Sequence, residues 1–288
     1  MRNENDMLKL IINVAANDDR VRAVILNGSR VNPKAPKDIF QDYDILYLVK
    51  DMDSFINNNH WIDIFGERIM MQMPEKMQKP LNRGFFSYLM LFTDGNRIDL
   101  TLIPLDKWKK NQRIDSLSKL LLDKDNLIGS LPSPSDKDYY VKQPTQKEFF
   151  DTCNEFWWIC TYIAKGLWRQ ELPYVNHMKE HINRSILNKM LAWYIGIQYN
   201  FNINPGKFGK YVQKYLTGEE WQIYLLTFSD SDYDKIWSSL FCMIELFRDT
   251  ALKVANKLNF EYCHRYDKNV SAYLRRVKNL PKNAEEIY

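Results

Sequence analysis

The sequence lacks the apolar run that a membrane span requires. No stretch reaches the roughly 20 apolar residues needed, and even Phe156 to Trp168 is interrupted by Lys165. The first six residues, Met1 to Asp6, are polar and charged, without the apolar centre of a secretory signal. Cysteine is sparse. Cys153, Cys160, Cys242 and Cys263 form no C-x-x-C pair, which argues against zinc. Cys153 and Cys160 stand seven apart in an apolar helical pattern and read as buried thiols. These absences lead to the expectation of a reduced, cytoplasmic protein with no membrane partner. An excess of one charge is missing too. The chain has 40 basic and 36 acidic residues, a formal net charge of +4. That is too little to imply a nucleic-acid partner, and none is expected. There is no internal repeat and no low-complexity segment.

What is present fits a globular protein of one large or two ordinary domains, with 288 residues and 45% hydrophobic composition. Aromatics reach 14%, enough for a sizeable core and for the walls of a small-molecule cleft. Residues 1 to about 130 read as alternating helix and strand. Met7, Leu8, Ile11, Ile12 and Ala15 fall at helical spacing over 5–16. Val21 to Leu26 is a β-branched run that enters a turn at Asn27-Gly28-Ser29. A loop with Pro33 and Pro36 follows, then a second strand over 42–49. Further strands are expected over 70–73, 84–93 and 97–103, with Asp94-Gly95 as a hairpin turn.

The composition shifts at 131–144, where Pro132, Ser133, Pro134, Ser135 and Asp136 mark a linker. We therefore expect an α+β protein, with a mixed β-sheet domain over 1–134 and an all-helical domain over 135–288. Thr145-Gln146-Lys147-Glu148 has the pattern of a capping box. Phe149, Cys153, Phe156, Cys160, Ile163 and Leu167 then form an apolar stripe. Further helices are expected over 174–199, 211–216, 233–258 and 268–278.

The residues that carry chemistry are Asp42 and Asp44. On a strand, positions i and i+2 face the same way, so two carboxylates stand side by side among Ile45, Leu46 and Leu48. Like charges that close repel, and burial adds a desolvation cost. A divalent cation between them relieves both, and magnesium takes such hard oxygen ligands together with substrate phosphates. In Arg97-Ile98-Asp99-Leu100-Thr101-Leu102, Asp99 lies on the polar side of an alternating strand. If that strand lies beside the first, three carboxylates converge. Such a set can hold two ions that clamp an in-line phosphoryl displacement. Upstream, Gly28-Ser29 offers a small turn whose backbone can approach a triphosphate, with Arg30 next to it.

Gly-Ser, a loop, Asp-x-Asp and a later strand Asp together resemble the signature of nucleotidyltransferases with the DNA polymerase β-like core. The likeness narrows over Leu26 to Asn32, Phe40 to Ile45, Asn96 to Thr101, Glu155 to Trp158 and Tyr162 to Arg169. Those segments resemble the aminoglycoside 6-adenylyltransferases. The broader family has an apolar residue where this chain has Asn27; the narrower one shares the asparagine. The resemblance implies transfer of AMP from ATP to a hydroxyl of streptomycin, with pyrophosphate released and antibiotic resistance as the consequence. It implies two magnesium ions on Asp42, Asp44 and Asp99, with the third acid able to help deprotonate the acceptor. It also implies a nucleotide site of Gly28, Ser29, Arg30 and a second-domain lysine, Lys165, in a cleft between the domains. A nucleic-acid-directed relative, such as a CCA-adding or poly(A) polymerase, and a non-catalytic protein of the same fold are the alternatives.

A polycationic substrate calls for local acids. Glu148, Asp151, Glu155 and Glu171 are the candidates, with Trp168 as an aromatic wall; Trp158 and Trp168 also suit a core. His177-Met178-Lys179-Glu180-His181 matches the inverted zinc-protease pattern H-x-x-E-H, but no third ligand follows, and a solvated or substrate-lining helix face is expected. Gly206-Lys207-Phe208-Gly209-Lys210 lacks the spacing of a phosphate-binding loop.

Overall fold

A computed structural model of the chain describes residues 1–79, 84–111 and 114–288. It divides into two compact units, Met1–Asp138 and Tyr139–Tyr288.

The first unit opens with helix α1, Glu4–Ala16, capped by the Asn3 side chain on the Asp6 amide. Strands β1, Val21–Asn27, and β2, Tyr43–Val49, follow, then a short helix α2, Asp53–Ile56. Next come β3, Arg68–Gln72, β4, Phe86–Phe92, and β5, Arg97–Pro104. Helix α3, Leu105–Asn111, and strand β6, Ser118–Asp123, complete the unit. The six strands make one sheet in the order β3-β4-β5-β2-β1-β6. β2 and β5 run parallel; every other neighbouring pair is antiparallel.

Alternation along the strands sorts side chains between two faces. Tyr43, Ile45 and Tyr47 of β2, with Ile98, Leu100 and Leu102 of β5, enter the larger core. Met7, Ile11 and Ala15 of α1 close it, four residues apart on one helical face. Burial of each such large side chain contributes roughly 1.5–3 kcal/mol before chain entropy is counted. The opposite face is thinly covered. Its buried cluster is Ala23, Ile25, Leu48 and Trp108. The acids of β2 and β5 alternate out of the larger core, toward this second side.

The second unit contains helices and turns only. Helix α4, Gln146–Arg169, is followed by α5, Leu172–Asn176, a π-helical segment His177–Asn183, and α6, Arg184–Gln198. Helices α7, Gly218–Leu226, α8, Tyr233–Leu258, and α9, His264–Lys278, complete it. The expected capping box is present: Thr145 caps Glu148, and Glu148 caps Thr145. The stripe from Phe149 to Leu167 is buried throughout, and Phe156 stacks on Phe247 at 3.6 Å between ring centroids. Burial pushes the Cys153 and Cys160 thiols up to about 12.

A mixed sheet followed by an all-helical unit is the α+β architecture expected. Three local expectations need correction. The single helix over 174–199 is broken by the π-helical turn, which widens where Lys179 and Asn183 face the interior. No helix covers 211–216, where short 3-10 turns at Lys207–Gly209 and Val212–Lys214 stand instead. Gly206, Phe208 and Gly209 all have positive φ there, which no right-handed helix tolerates. Strand β6, a Leu-rich segment that we did not expect to be a strand, pairs with β1 at the sheet's end. Among the described residues, no helix is long and apolar enough to cross a membrane.

Candidate active site

β1 ends by turning sharply at Gly28, whose φ is +78°. A Cβ at this position would stand 2.1 Å from the Oδ2 of Asp44. Only glycine lets the backbone lie against that carboxylate. The Gly28 amide donates to the Leu117 carbonyl at 3.1 Å, which fixes the start of the 3-10 turn Gly28–Val31.

The sheet register builds the rest. Asp99 pairs with Asp44 across the parallel ladder, Asp44 with Asn27, and Asn27 with Ser118. Directly paired residues share a face. Asp99, Asp44, Asn27 and Ser118 therefore form one transverse polar row over β5, β2, β1 and β6. The Ser118 hydroxyl donates to Asn27 Oδ1 at 2.7 Å, which gives the asparagine a partner in the row.

Asp42 was expected inside the second strand. β2 begins one residue later, at Tyr43. Arg30 is the cause: its Nε donates to the Asp42 carbonyl at 3.0 Å and its Nη2 to the Gln41 carbonyl at 2.6 Å. Its guanidinium also lies 3.6 Å from the Tyr43 ring centroid and 3.7 Å from the Glu4 carboxylate. Arg30 thus holds the loop that delivers Asp42. Ser29 sits in the 3-10 turn, where its carbonyl accepts from the Gln41 side chain at 3.2 Å.

The cation at the acids is Arg97. Two residues from Asp99 on the same side of β5, it grips both carboxylate oxygens, with Nε–Oδ1 and Nη2–Oδ2 each 2.7 Å. Its Nε lies 3.7 Å from Asp42. Burial pushes Asp44 up to about 6, and the charges of Asp99 and Asp42 add to that rise. Burial also raises Asp42, against the opposing pull of Arg97. The three acids therefore repel one another, with Arg97 as the compensating charge.

Does this set fit a divalent cation? Its donors are hard carboxylate oxygens that crowd each other, and that chemistry suits magnesium. Among the described residues, no three His, Cys, Asp or Glu side chains are already gathered closely enough to hold an ion. Asp99 is turned to Arg97. Asp42, Asp44 and Asp99 would hold the metal once that fork opens.

The candidates of the second unit are not gathered at one place. Glu148 and Glu171 stand at opposite ends of α4, a 24-residue helix roughly 36 Å long. The Glu148 carboxylate is engaged at the cap, accepting from the Thr145 amide at 2.8 Å. Asp151 pairs with Lys147 at 2.6 Å, and Glu171 lies 4.0 Å from Arg169. Trp168 donates its indole N–H to the Leu280 carbonyl at 3.1 Å, and Lys282 already sits over its ring. Lys165 lies 4.9 Å from the Tyr162 ring centroid. Glu155 is exposed, and its carboxylate has no partner among the described residues. It falls on the same helical face as Trp158, which is 56% exposed and donates to the Tyr162 hydroxyl at 2.9 Å. Trp158 is thus a surface residue, not a core one.

His177 and His181 are exposed and stacked at 5.3 Å. Glu180 between them is bound by Lys179 at 2.5 Å and Arg184 at 3.0 Å. It is not free to act as a base, so the H-x-x-E-H pattern carries no protease chemistry here. Sequence reasoning did not single out Arg97 or Ser118. Arg97 was detectable as a cation two residues before a strand acid. Ser118 was not, because β6 itself gave no strand signal.

The chain is similar to known proteins along almost its whole length. The family model described as streptomycin adenylyltransferase matches residues 1–277. An aminoglycoside 6-adenylyltransferase of Bacillus subtilis (strain 168) is 42% identical over 280 residues, covering 95% of this chain and 97% of that protein. The enzyme of that name from Campylobacter jejuni is 43% identical, covering 96% of each chain. That from Staphylococcus aureus is 39% identical, covering 96% of this chain and 98% of its own. A crystal structure of an aminoglycoside 6-adenyltransferase from Bacillus subtilis aligns over 97% of this chain and 100% of its own, at 37% identity and a TM-score of 0.49. Matched along almost its whole length, the chain belongs to the streptomycin adenylyltransferase family.

Proposed function

We propose that this protein transfers AMP from ATP to the 6-hydroxyl of streptomycin, with magnesium bound by Asp42, Asp44 and Asp99. The observation that carries the reading is the polar row. Two strand acids stand in register with Gly28 packed against one of them, in a chain of this family. The acceptor oxygen forms a bond to the α-phosphorus, and the bond from that phosphorus to the pyrophosphate breaks. The hydroxyl proton passes to a carboxylate of the row. Magnesium bound there would neutralise charge on the phosphate oxygens. Gly28 and Ser29 present backbone to the nucleotide. Arg30 acts indirectly, by fixing the loop before Asp42.

Glu155, exposed on the α4 face that carries Trp158 and Tyr162, is the acid whose charge is uncommitted among the described residues, and we assign it to the cationic acceptor. Asp151, Glu148 and Glu171 are each engaged by a sequence neighbour, Lys147, Thr145 and Arg169 in turn. Incubation with ATP labelled at the α-phosphate, magnesium and streptomycin tests the reading. Label should move to the drug, with one pyrophosphate released per transfer. Extension of an RNA 3′ end with no labelling of any aminoglycoside would overturn it in favour of a nucleic-acid-directed enzyme.

A further inference from the structure

Asp44 and Asp99 of the polar row, and Asp42 just before β2, share one exposed cation, Arg97. Arg97 and Arg30 both lie close to Asp42, but they are held very differently. The Arg30 side chain is 8% exposed, bonded to two carbonyls and stacked on Tyr43. It cannot leave without orphaning those groups. The Arg97 side chain is 44% exposed, and its ion-pair partners among the described residues are Asp42 and Asp99. It can swing into solvent at little cost.

Its grip on Asp99 is two-pronged, one guanidinium nitrogen on each oxygen. A cation ligated by Asp99 must share or displace that fork. Displaced, Arg97 stands at the edge of the acid row with five donors in a plane and no carboxylate to receive them. Phosphate oxygens match that fork.

We infer that Arg97 is an exchangeable counter-ion, which yields Asp99 to a divalent cation and takes a phosphate of the nucleotide in return. This rests on the function proposed above. It makes metal and nucleotide respond in opposite directions when the guanidinium is removed. A purely structural arginine would weaken both together.

The test uses full-length protein, Mn2+ as the cation probe followed by electron paramagnetic resonance, and α,β-methylene-ATP with magnesium followed by calorimetry. Arg97→Gln should bind Mn2+ about two- to fivefold more tightly, the range expected for a partly exposed ion pair. It should bind the nucleotide analogue about tenfold more weakly. Arg97→Lys keeps the charge without the fork. It should leave Mn2+ affinity near that of the unsubstituted protein and give an intermediate loss for the analogue. Circular dichroism confirms that both variants are folded. Weaker or unchanged Mn2+ binding in Arg97→Gln, or undiminished analogue binding, overturns the exchange. Asp44→Asn separates the two readings. If it abolishes Mn2+ binding while Arg97→Gln fails to tighten it, the exchange alone falls. If the unsubstituted protein binds no Mn2+, the proposed metal site falls with it.

Discussion

Asp44 is the most burdened residue of the acid row. It is largely buried, has two carboxylate neighbours, and receives no hydrogen bond from the described side chains. Its carboxyl is accordingly pushed up to about 6. Asp44→Asn removes a charge that the fold holds at a cost. AMP transfer should fall at least about 100-fold, in line with losing one electrostatic contact to the transferring group. Stability in EDTA should stay level or rise slightly. Chemical unfolding alongside the transfer assay reads both, and near-normal turnover would sink the role given to the row. Gly28 makes the complementary case. Gly28→Ala puts a methyl 2.1 Å from the Asp44 carboxylate at a φ of +78°. Overpacking of this kind costs about 1–3 kcal/mol, and the carboxylate must turn away. Both stability and transfer should drop. A variant as stable and active as the parent would show that the close approach is not needed.

Among elements, legibility followed periodicity. Asp99 could be placed because Ile98, Leu100 and Leu102 alternate with it, and those three lie in the larger core. The Thr145 cap and the stripe of α4 were readable from spacing alone. β6 was not, because Ser-Lys-Leu-Leu-Leu-Asp has no alternation and leucine favours helices. The π-helical turn was hidden too, since one widened turn barely disturbs a helical pattern. Nor can spacing show which acids a distant arginine ties together. Arg248 of α8 and Asp267 of α9 are such a pair, 2.5 Å apart, with the Tyr262 hydroxyl donating to the same carboxylate at 2.9 Å. Burial pushes the Asp267 carboxyl up, yet Arg248, Tyr262 and Ser271 together hold it below the usual range. A depressed acid stabilises the fold above its unfolded pKa of about 3.9, and the contribution is lost as pH falls through the folded value. Arg248→Met should therefore cost about 3 kcal/mol near pH 7, the loss expected when a buried pair is broken. The gap from the parent should narrow below about pH 4. Denaturant unfolding at pH 7 and pH 3 measures it, and an equal gap at both would show that the pair is not the source.

At the scale of the molecule, charge poses a question of recruitment. The protein is formally +4, and the proposed acceptor is also a cation. Overall attraction cannot bring them together, so a local acidic surface has to. The acid row is unsuited, because Arg97 already offsets its charge, as the proposed metal would in its place. Along α4, Glu148 is engaged at the helix cap and Asp151 by Lys147. Glu155 keeps an exposed, uncommitted charge on the same face as Trp158, whose ring can add roughly 0.5–2 kcal/mol of cation–π attraction. The acids of α4 should therefore not be equivalent. Glu155→Gln should raise the streptomycin KM several-fold and flatten its dependence on salt, leaving the ATP KM nearly unchanged. Glu148→Gln should instead weaken the capping box by about 1 kcal/mol and move the drug KM little. Screening becomes substantial near 0.1 M salt, where the Debye length is about 10 Å. Initial rates measured across that concentration separate the two variants. If Glu155→Gln keeps the parent's drug KM and salt slope, the drug is drawn in by some other surface and the α4 face has no part in binding it.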